Sequence, residues 1–495
     1  MSVLLNRRMM LGGTAATAMA VGMGRTAFAA TPEAAQGFAR VRRGRFNGRT
    51  VRYMARLMPT SVAATEKGPA ARFVSTSYMA QPTNPARPVV FMFNGGPIVA
   101  SSYLHIGAFG PTRYDPPTDV DAEVPTPYEL HHNNDSLLDV ADLVFVDPPE
   151  TGFSRLISED DRVIAFSDEA DSAMTTAFIR QWIKDNGREN SPKYLVGESY
   201  GTLRAAMVAE QLSADMPLNG VVLLGQALNM VETTQRRANI LSYAVNLPTL
   251  TAIAAYHGLI PNSQDIKART EEAWTFAMGD YLETLRVGNN LSDHERNRIA
   301  VRLETLTGVP MEYYLANNLV ISKMDFTREL MKDKGMIVGV YDGRYKGPAL
   351  IDGKPTPDPY DKVNAMLAPL LAQQFDRNLG VTLDMAEYRS AAPRVAPWRY
   401  RPTGGAGGPF DDYDYDRGIA RAMAARDDFR LFVGTGIYDT TTTLGAARYL
   451  AQQATYPRDR IELREYEGGH MAYSNPEART RMANDLRAFI TAGRV

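Results

Sequence analysis

Four short, unbroken apolar runs punctuate the first half of this chain: PVVFMFNGGP (88–97), DLVFVDPPETG (142–152), KYLVGES (193–199) and NGVVLLGQA (219–227). Each stops at turn residues. Continuous Val, Leu and Phe runs of this length suit strands buried on both faces, and such strands are joined in parallel through helices. EADSAMTTAFIRQWIKDNG and GTLRAAMVAEQL stand where crossover helices are required. Ahead of them, RTVRYMARLMPT and ARFVSTSYMA alternate apolar and polar residues, as edge or hairpin strands do. The class that follows is α/β, with a mostly parallel sheet flanked by helices.

From about Gln226 to Asp416 the pattern changes. SQDIKARTEEAWTFAMGDYLETLRVG has helical periodicity, and LSDHERNRIAVRLETLTG opens with a capping box from Ser292 to Glu295. Helix–strand alternation returns with GIARAMAARDDFRLFVGTGIYD, then ARYLAQQA, RIELREYEGGH and a terminal helix PEARTRMANDLRAFITAG. One α/β core (30–225 and 417–495) interrupted by a large, mainly helical insertion or cap (226–416) accounts for this better than two domains in series. RPTGGAGGPFDDYDYDRG (401–418) reads as a flexible return connection. Its acidic DDYDYD lacks the glycine turn and distal glutamate of a calcium loop, and reads as a solvated acidic loop.

Hydrophobic residues make up 44% and charged residues 22% of the 495, enough for a sizeable core and against global disorder. With 54 Lys+Arg against 56 Asp+Glu, neither a nucleic-acid surface nor a polybasic membrane patch is expected. Arg7-Arg8 precede a Gly/Ala-rich apolar run from Met9 to Met23, and Ala27-Phe28-Ala29 fits a cleavage site. Residues 1–29 thus read as a twin-arginine-type signal peptide, and the run is too short to span a bilayer. Its removal takes away Arg7, Arg8 and Arg25 and no acid, shifting the net charge from −2 to −5. The expected mature protein is periplasmic or secreted, with no membrane attachment after cleavage. Cysteine is absent, which excludes thiol nucleophiles, and fits a passenger that folds in a reducing cytoplasm before export.

Chemistry concentrates at Gly197-Glu198-Ser199-Tyr200-Gly201, a G-x-S-x-G pentapeptide between a strand-like and a helix-like segment. This context is what a nucleophile elbow demands: glycines let strand end and helix start approach, and the serine stands proud of the sheet. A serine hydroxyl needs a base, and the base an orienting acid. In this architecture the order is Ser, then Asp or Glu, then His. That order leaves His257, His294 and His470 of the six histidines. The first two fall in the insertion, whereas His470 lies in a glycine-flanked loop after a strand. Asp439 ends the preceding strand, RLFVGTGIYD, while Asp427 and Asp428 stand at its wrong end. The oxyanion donors are expected from the Tyr200 amide and from Gly95 or Gly96 in FMFNGGP.

Together these residues resemble the serine carboxypeptidase family of α/β-hydrolases. The similarity lies in Asn94-Gly95-Gly96-Pro97, in DPPETGFSR (147–155), in GESYG, in GHMAYSNPEA, and in the insertion stretch GVPMEYYLANNLVISKMDFTRELMKDKGMIVGVYDGRY. The resemblance implies an α/β-hydrolase fold, Ser199 as nucleophile, His470 as base, Asp439 as orienter, and an oxyanion hole of the Gly96 and Tyr200 amides. It also implies that Asn94 and Glu198, beside Gly95, bind the substrate's terminal carboxylate. Two carboxyls meet favourably only by sharing a proton, so recognition should strengthen in acid. The activity implied is hydrolysis of C-terminal peptide bonds on peptide substrates, without metal or organic cofactor, by a monomer or homodimer. Ile98 and Glu150 depart from the family's glycines, in loops expected to face the substrate. An esterase or acyltransferase using the same triad, with Asn94 and Glu198 idle, is the alternative. A non-catalytic partner-binding protein is the third reading, and the intact triad speaks against it.

Overall fold

The structure, a computed structural model, describes residues 36–233, 235–393, 397–400 and 414–492. The expected signal peptide and most of the return connection lie outside them. The central sheet has ten strands: β1 (Phe38–Phe46), β2 (Arg49–Val62), β3 (Ala71–Ala80), β4 (Val89–Phe93), β5 (Asp142–Val146), β6 (Arg155–Leu156), β7 (Lys193–Glu198), β8 (Gly220–Leu224), β9 (Arg430–Gly436) and β10 (Ile461–Tyr466). Their order across the sheet is β1-β2-β3-β5-β4-β7-β8-β9-β10, with the short β6 beside β3.

The six strands from β5 to β10 in this row are mutually parallel. β1, β2 and β3 extend the sheet antiparallel. β1 and β2 are joined through Asn47-Gly48, both at positive φ, the two-residue turn whose twist matches a hairpin. The four apolar runs of the sequence are β4, β5, β7 and β8, and every residue in them is buried. Side chains alternate between the faces: in β4, Val90 and Met92 join one core layer, and Val89, Phe91 and Phe93 the other. Helices Asp168–Asp185, Tyr200–Leu212 and Asp416–Ala425 cover the second face through Phe178, Trp182, Leu203, Val208 and Ile419. The first starts under a Ser167 cap and carries Asp168, Glu169 and Asp171 in its first turn, where the helix dipole favours them.

Within 226–416, helices Leu247–Tyr256, Ile266–Phe276 and Asp293–Thr307 share a core of their own with Ile253, Ala273, Ile299 and Leu303. The Ser292–Glu295 capping box forms at the start of the last. Farther along, helix Leu367–Leu379 joins the first face of the sheet rather than that core, packing Leu370, Leu371 and Phe375 there. Asn378 on this helix accepts from Arg42 through its carbonyl at 2.9 Å and from Tyr53 through its side chain at 3.3 Å. Among the described residues no helix is long and apolar enough to cross a membrane.

Candidate active site

β7 runs directly into helix Tyr200–Leu212, with Ser199 alone between them. The turn is tight enough that a Cβ on Gly197 would lie 2.1 Å from the Gly201 carbonyl oxygen. Ser199 takes φ 59° and ψ −128°, a region that L-residues avoid at a cost of roughly 1–3 kcal/mol. Local bonds hold it there. Its N–H donates to the Leu224 carbonyl at the end of β8 (2.9 Å), and its own carbonyl accepts from the Thr202 amide and hydroxyl (2.9 and 2.7 Å). The hydroxyl is left half-exposed among buried neighbours and is engaged by no other described residue.

Asp439 follows β9 and His470 follows β10. Because β7 to β10 are parallel, all three side chains arrive at one edge of the sheet. His470 Nδ1 and Asp439 Oδ2 are 2.7 Å apart, so the ring proton on Nδ1 points at the carboxylate and Nε2 is free to accept. Asp439 also accepts from the Thr441 and Thr442 amides and the Thr442 hydroxyl, at 2.7, 3.1 and 2.6 Å. Burial disfavours the His470 cation, but Asp439, through charge and hydrogen bond, and Glu198 more than offset it; the pKa is raised, with Lys323 opposing. The imidazole lies at the end of β8. Gly225, next to the carbonyl that takes the Ser199 amide, lies against it, and a Cβ there would sit 3.2 Å from its Cε1.

The Asn94–Pro97 turn meets the elbow from β4. A Cβ on Gly95 would come 2.6 Å from the Tyr200 nitrogen, so only glycine allows this approach. Among the described residues the amides of Gly96 and Tyr200 have no acceptor, which leaves two donors beside the serine. Behind them lies a residue that the sequence did not flag. Arg204, fully buried, donates to the carbonyls of Asn94 and Pro97 (2.8 and 2.9 Å) and pairs with Asp171 at 2.8 Å. Its one sequence signal is an arginine within the otherwise apolar stripe of TLRAAMVAEQL.

Glu198 is buried at the end of β7, and the Tyr473 hydroxyl donates to it at 2.6 Å. Burial is the largest influence and pushes its pKa up to about 7, against the pull of His470, Tyr473 and Asn94. Asn94 Oδ1 accepts from the Leu104 amide (3.2 Å), while its Nδ2 is buried without a hydrogen-bond partner. That amide lies close enough to Glu198 to favour the carboxylate, yet outside hydrogen-bond geometry. Among the described residues no group of three or more His, Cys, Asp and Glu side chains is placed to hold a metal ion.

One expectation about the loops is corrected. Glu150 does not face a substrate: it is buried at φ 72°, accepts from the Leu156 amide at 3.2 Å, and pairs with Arg162 and Arg389 at 3.0 and 2.6 Å. The strained backbone turns the carboxylate inward between two guanidinium groups. Ile98 packs against the second core layer, and its carbonyl accepts from the Ala392 amide at 3.0 Å.

Residues 73–297 match the model of one protein family, described as serine carboxypeptidase. Over this segment the chain is similar to the serine carboxypeptidase family. It is a peptide hydrolase with the α/β-hydrolase fold. The matched segment of this carboxypeptidase holds Asn94–Pro97 and the elbow, whereas Asp439 and His470 lie beyond it. A search of curated protein sequences finds no match. Among solved structures, the prohormone-processing carboxypeptidase Kex1Δp of Saccharomyces cerevisiae is similar in fold, with TM-score 0.50 and 13% identity over 88% of this chain and 91% of that one. A thermophilic esterase of Thermogutta terrifontis also matches, at TM-score 0.34 and 11% identity over 87% of this chain and 98% of the other. The proline iminopeptidase of Mycobacterium smegmatis does so at TM-score 0.33 and 14% identity over 88% and 99%.

Proposed function

We propose that this serine carboxypeptidase removes C-terminal residues through an acyl-enzyme on Ser199, with His470 as general base and Asp439 as its orienter. Ser199 Oγ attacks the carbonyl carbon of the last peptide bond while His470 Nε2 takes its proton. The oxyanion that forms is met by the Gly96 and Tyr200 amides. The C–N bond then breaks, and the imidazolium returns the proton to the departing amino group. Water, deprotonated by His470, attacks the ester and restores Ser199. The observation that carries this reading is the 2.7 Å His470–Asp439 contact at the sheet edge that also presents Ser199 on its strained turn.

Exopeptidase specificity rests on Glu198 and Asn94. With a pKa of about 7, Glu198 is a neutral carboxyl in acid and can donate to the carboxylate of a free C-terminus. The unpaired Asn94 Nδ2 supplies a second donor. As pH rises through that value, two carboxylates oppose each other and binding weakens. We further propose export by the twin-arginine-type segment 1–29 and action in the periplasm or outside the cell.

The test is hydrolysis by the purified mature protein of one N-blocked dipeptide, offered as free acid and as C-terminal amide, from pH 4 to 8. Cleavage of the free acid, strongest below pH 7, supports this reading. Equal cleavage of acid and amide removes the role of Glu198 and Asn94. Hydrolysis of esters alone keeps the triad and makes the chain an esterase.

A further inference from the structure

The acid of the triad sits in a loop that the insertion holds. Thr440 Oγ1 donates to the Val340 carbonyl (2.7 Å), Thr443 Oγ1 to Asn246 Oδ1 (2.8 Å), and the His470 amide to the Tyr341 carbonyl (2.6 Å). These contacts are neutral; one other is charged. Lys323, at the start of helix Lys323–Glu329, is only 8% exposed, and its Nζ donates to the Thr441 carbonyl at 2.6 Å. The amide of the same Thr441 donates to Asp439 Oδ1 at 2.7 Å. The backbone of Lys323 is anchored as well, its N–H donating to Gln235 Oε1 at 2.9 Å. Two carboxylates face the ammonium: Glu232, on the loop after β8, and Asp439 itself. A buried ammonium costs several kcal/mol unless other groups answer it, so one placed beside a catalytic carboxylate calls for a function.

We propose that Lys323 is a positioning residue of the catalytic centre, which pins the Asp439 loop through the Thr441 carbonyl and sets a positive charge against the Asp439–His470 pair. This rests on the assignment of Ser199, His470 and Asp439 made above. The groups facing His470 are Asp439 and Glu198, which favour its cation, Lys323, which opposes it, and the neutral Thr442 hydroxyl and Tyr341 ring. Lys323 therefore keeps the imidazole neutral, and able to accept the serine proton, to lower pH. Its loss moves the acidic limb of the rate profile upward.

The experiment measures the rate at which a fluorophosphonate labels Ser199 between pH 4.5 and 8.5, which needs a basic His470 but no C-terminal carboxylate. Full mature protein is compared with Lys323→Met, Lys323→Arg and the double variant Lys323→Met/Glu232→Gln. The double variant also removes the carboxylate of Glu232, so that of the two only Asp439 loses the lysine charge, and it carries the test if the single change does not fold. Loss of the charge should raise the half-rate pH by roughly 0.5–1 unit. Labelling near pH 5.5 would then slow about three- to ten-fold, with a smaller loss at pH 8.5, and arginine should restore most of the shift. A folded double variant with an unchanged half-rate pH overturns the proposal, because a merely structural lysine would lower the rate equally at every pH. Wild-type protein that is not labelled at any pH overturns the triad assignment instead, and this proposal with it.

Discussion

The two halves of the proposed catalytic centre are built in opposite ways. The nucleophile half is a backbone construction: β4, β7 and helix Tyr200–Leu212 meet so closely that Gly95, Gly197 and Gly201 admit no Cβ, and buried Arg204 and Asp171 tie the turn to the helix. The acid–base half is a construction of side chains and loops. Asp439 and His470 are held from the insertion, by Lys323, Val340, Tyr341 and Asp342, the last accepting from the Gly469 amide at 3.1 Å. Backbone packing fixes where the serine stands. Hydrogen bonds between distant segments fix where His470 and Asp439 stand. Changes in the insertion should therefore act on proton transfer, and changes beneath the elbow on stability and on the oxyanion site together.

The severest way to break this division is Ser199→Ala. Turnover of an N-blocked dipeptide should fall by roughly 10⁴–10⁶-fold with the melting transition kept, since no other described group bonds that hydroxyl. On the other half, Asp439→Asn preserves shape but removes the charge that holds the His470 tautomer; kcat should fall by roughly 10³–10⁴-fold while KM changes little. Arg204→Met separates the halves by a different readout. It strands a buried Asp171, so urea unfolding should show a loss of about 3–5 kcal/mol, and activity should fall at every pH without a shift of the profile. The smallest effect is expected from Tyr473→Phe. The hydroxyl holds the Glu198 pKa down through its hydrogen bond, so its removal raises that pKa above about 7. Glu198 then stays protonated to higher pH, and the alkaline fall in binding of free-acid peptides moves upward, with KM in acid changed only a few-fold.

The same division governs what could be read from the sequence. The elbow, the Asn94–Pro97 turn and the four buried strands are local patterns, each a run ended by its own punctuation, and they stand where their spacing implied. His470 and Asp439 were legible by chain order and strand ends alone. β1 left one sign, Asn47-Gly48, since its own alternation is weak on two largely solvated faces, whereas β2 beyond the turn buries every second residue from Tyr53 to Leu57. Arg204 left only a charge in an apolar stripe, and Tyr473 and Lys323 left none; in no case was the partner legible. Their partners Asn94, Glu198 and Thr441 lie 110, 275 and 118 residues away, and no local spacing encodes such a contact. Glu150 misled for the same reason, since its partner Arg389 is 239 residues distant. Helix Leu367–Leu379 follows the helical period like its neighbours in the insertion, and periodicity alone does not say that its apolar face meets the sheet.

The central claim is that Ser199 is a nucleophile activated by His470 and Asp439 across these two halves. Intact-mass and peptide mapping of the folded mature protein after fluorophosphonate treatment tests it most directly. The account predicts one adduct per chain, carried by Ser199 within the Tyr194–Arg204 segment and absent from Ser199→Ala. Folded protein that remains unmodified while a control serine hydrolase is fully labelled, or an adduct on any other residue, would contradict it.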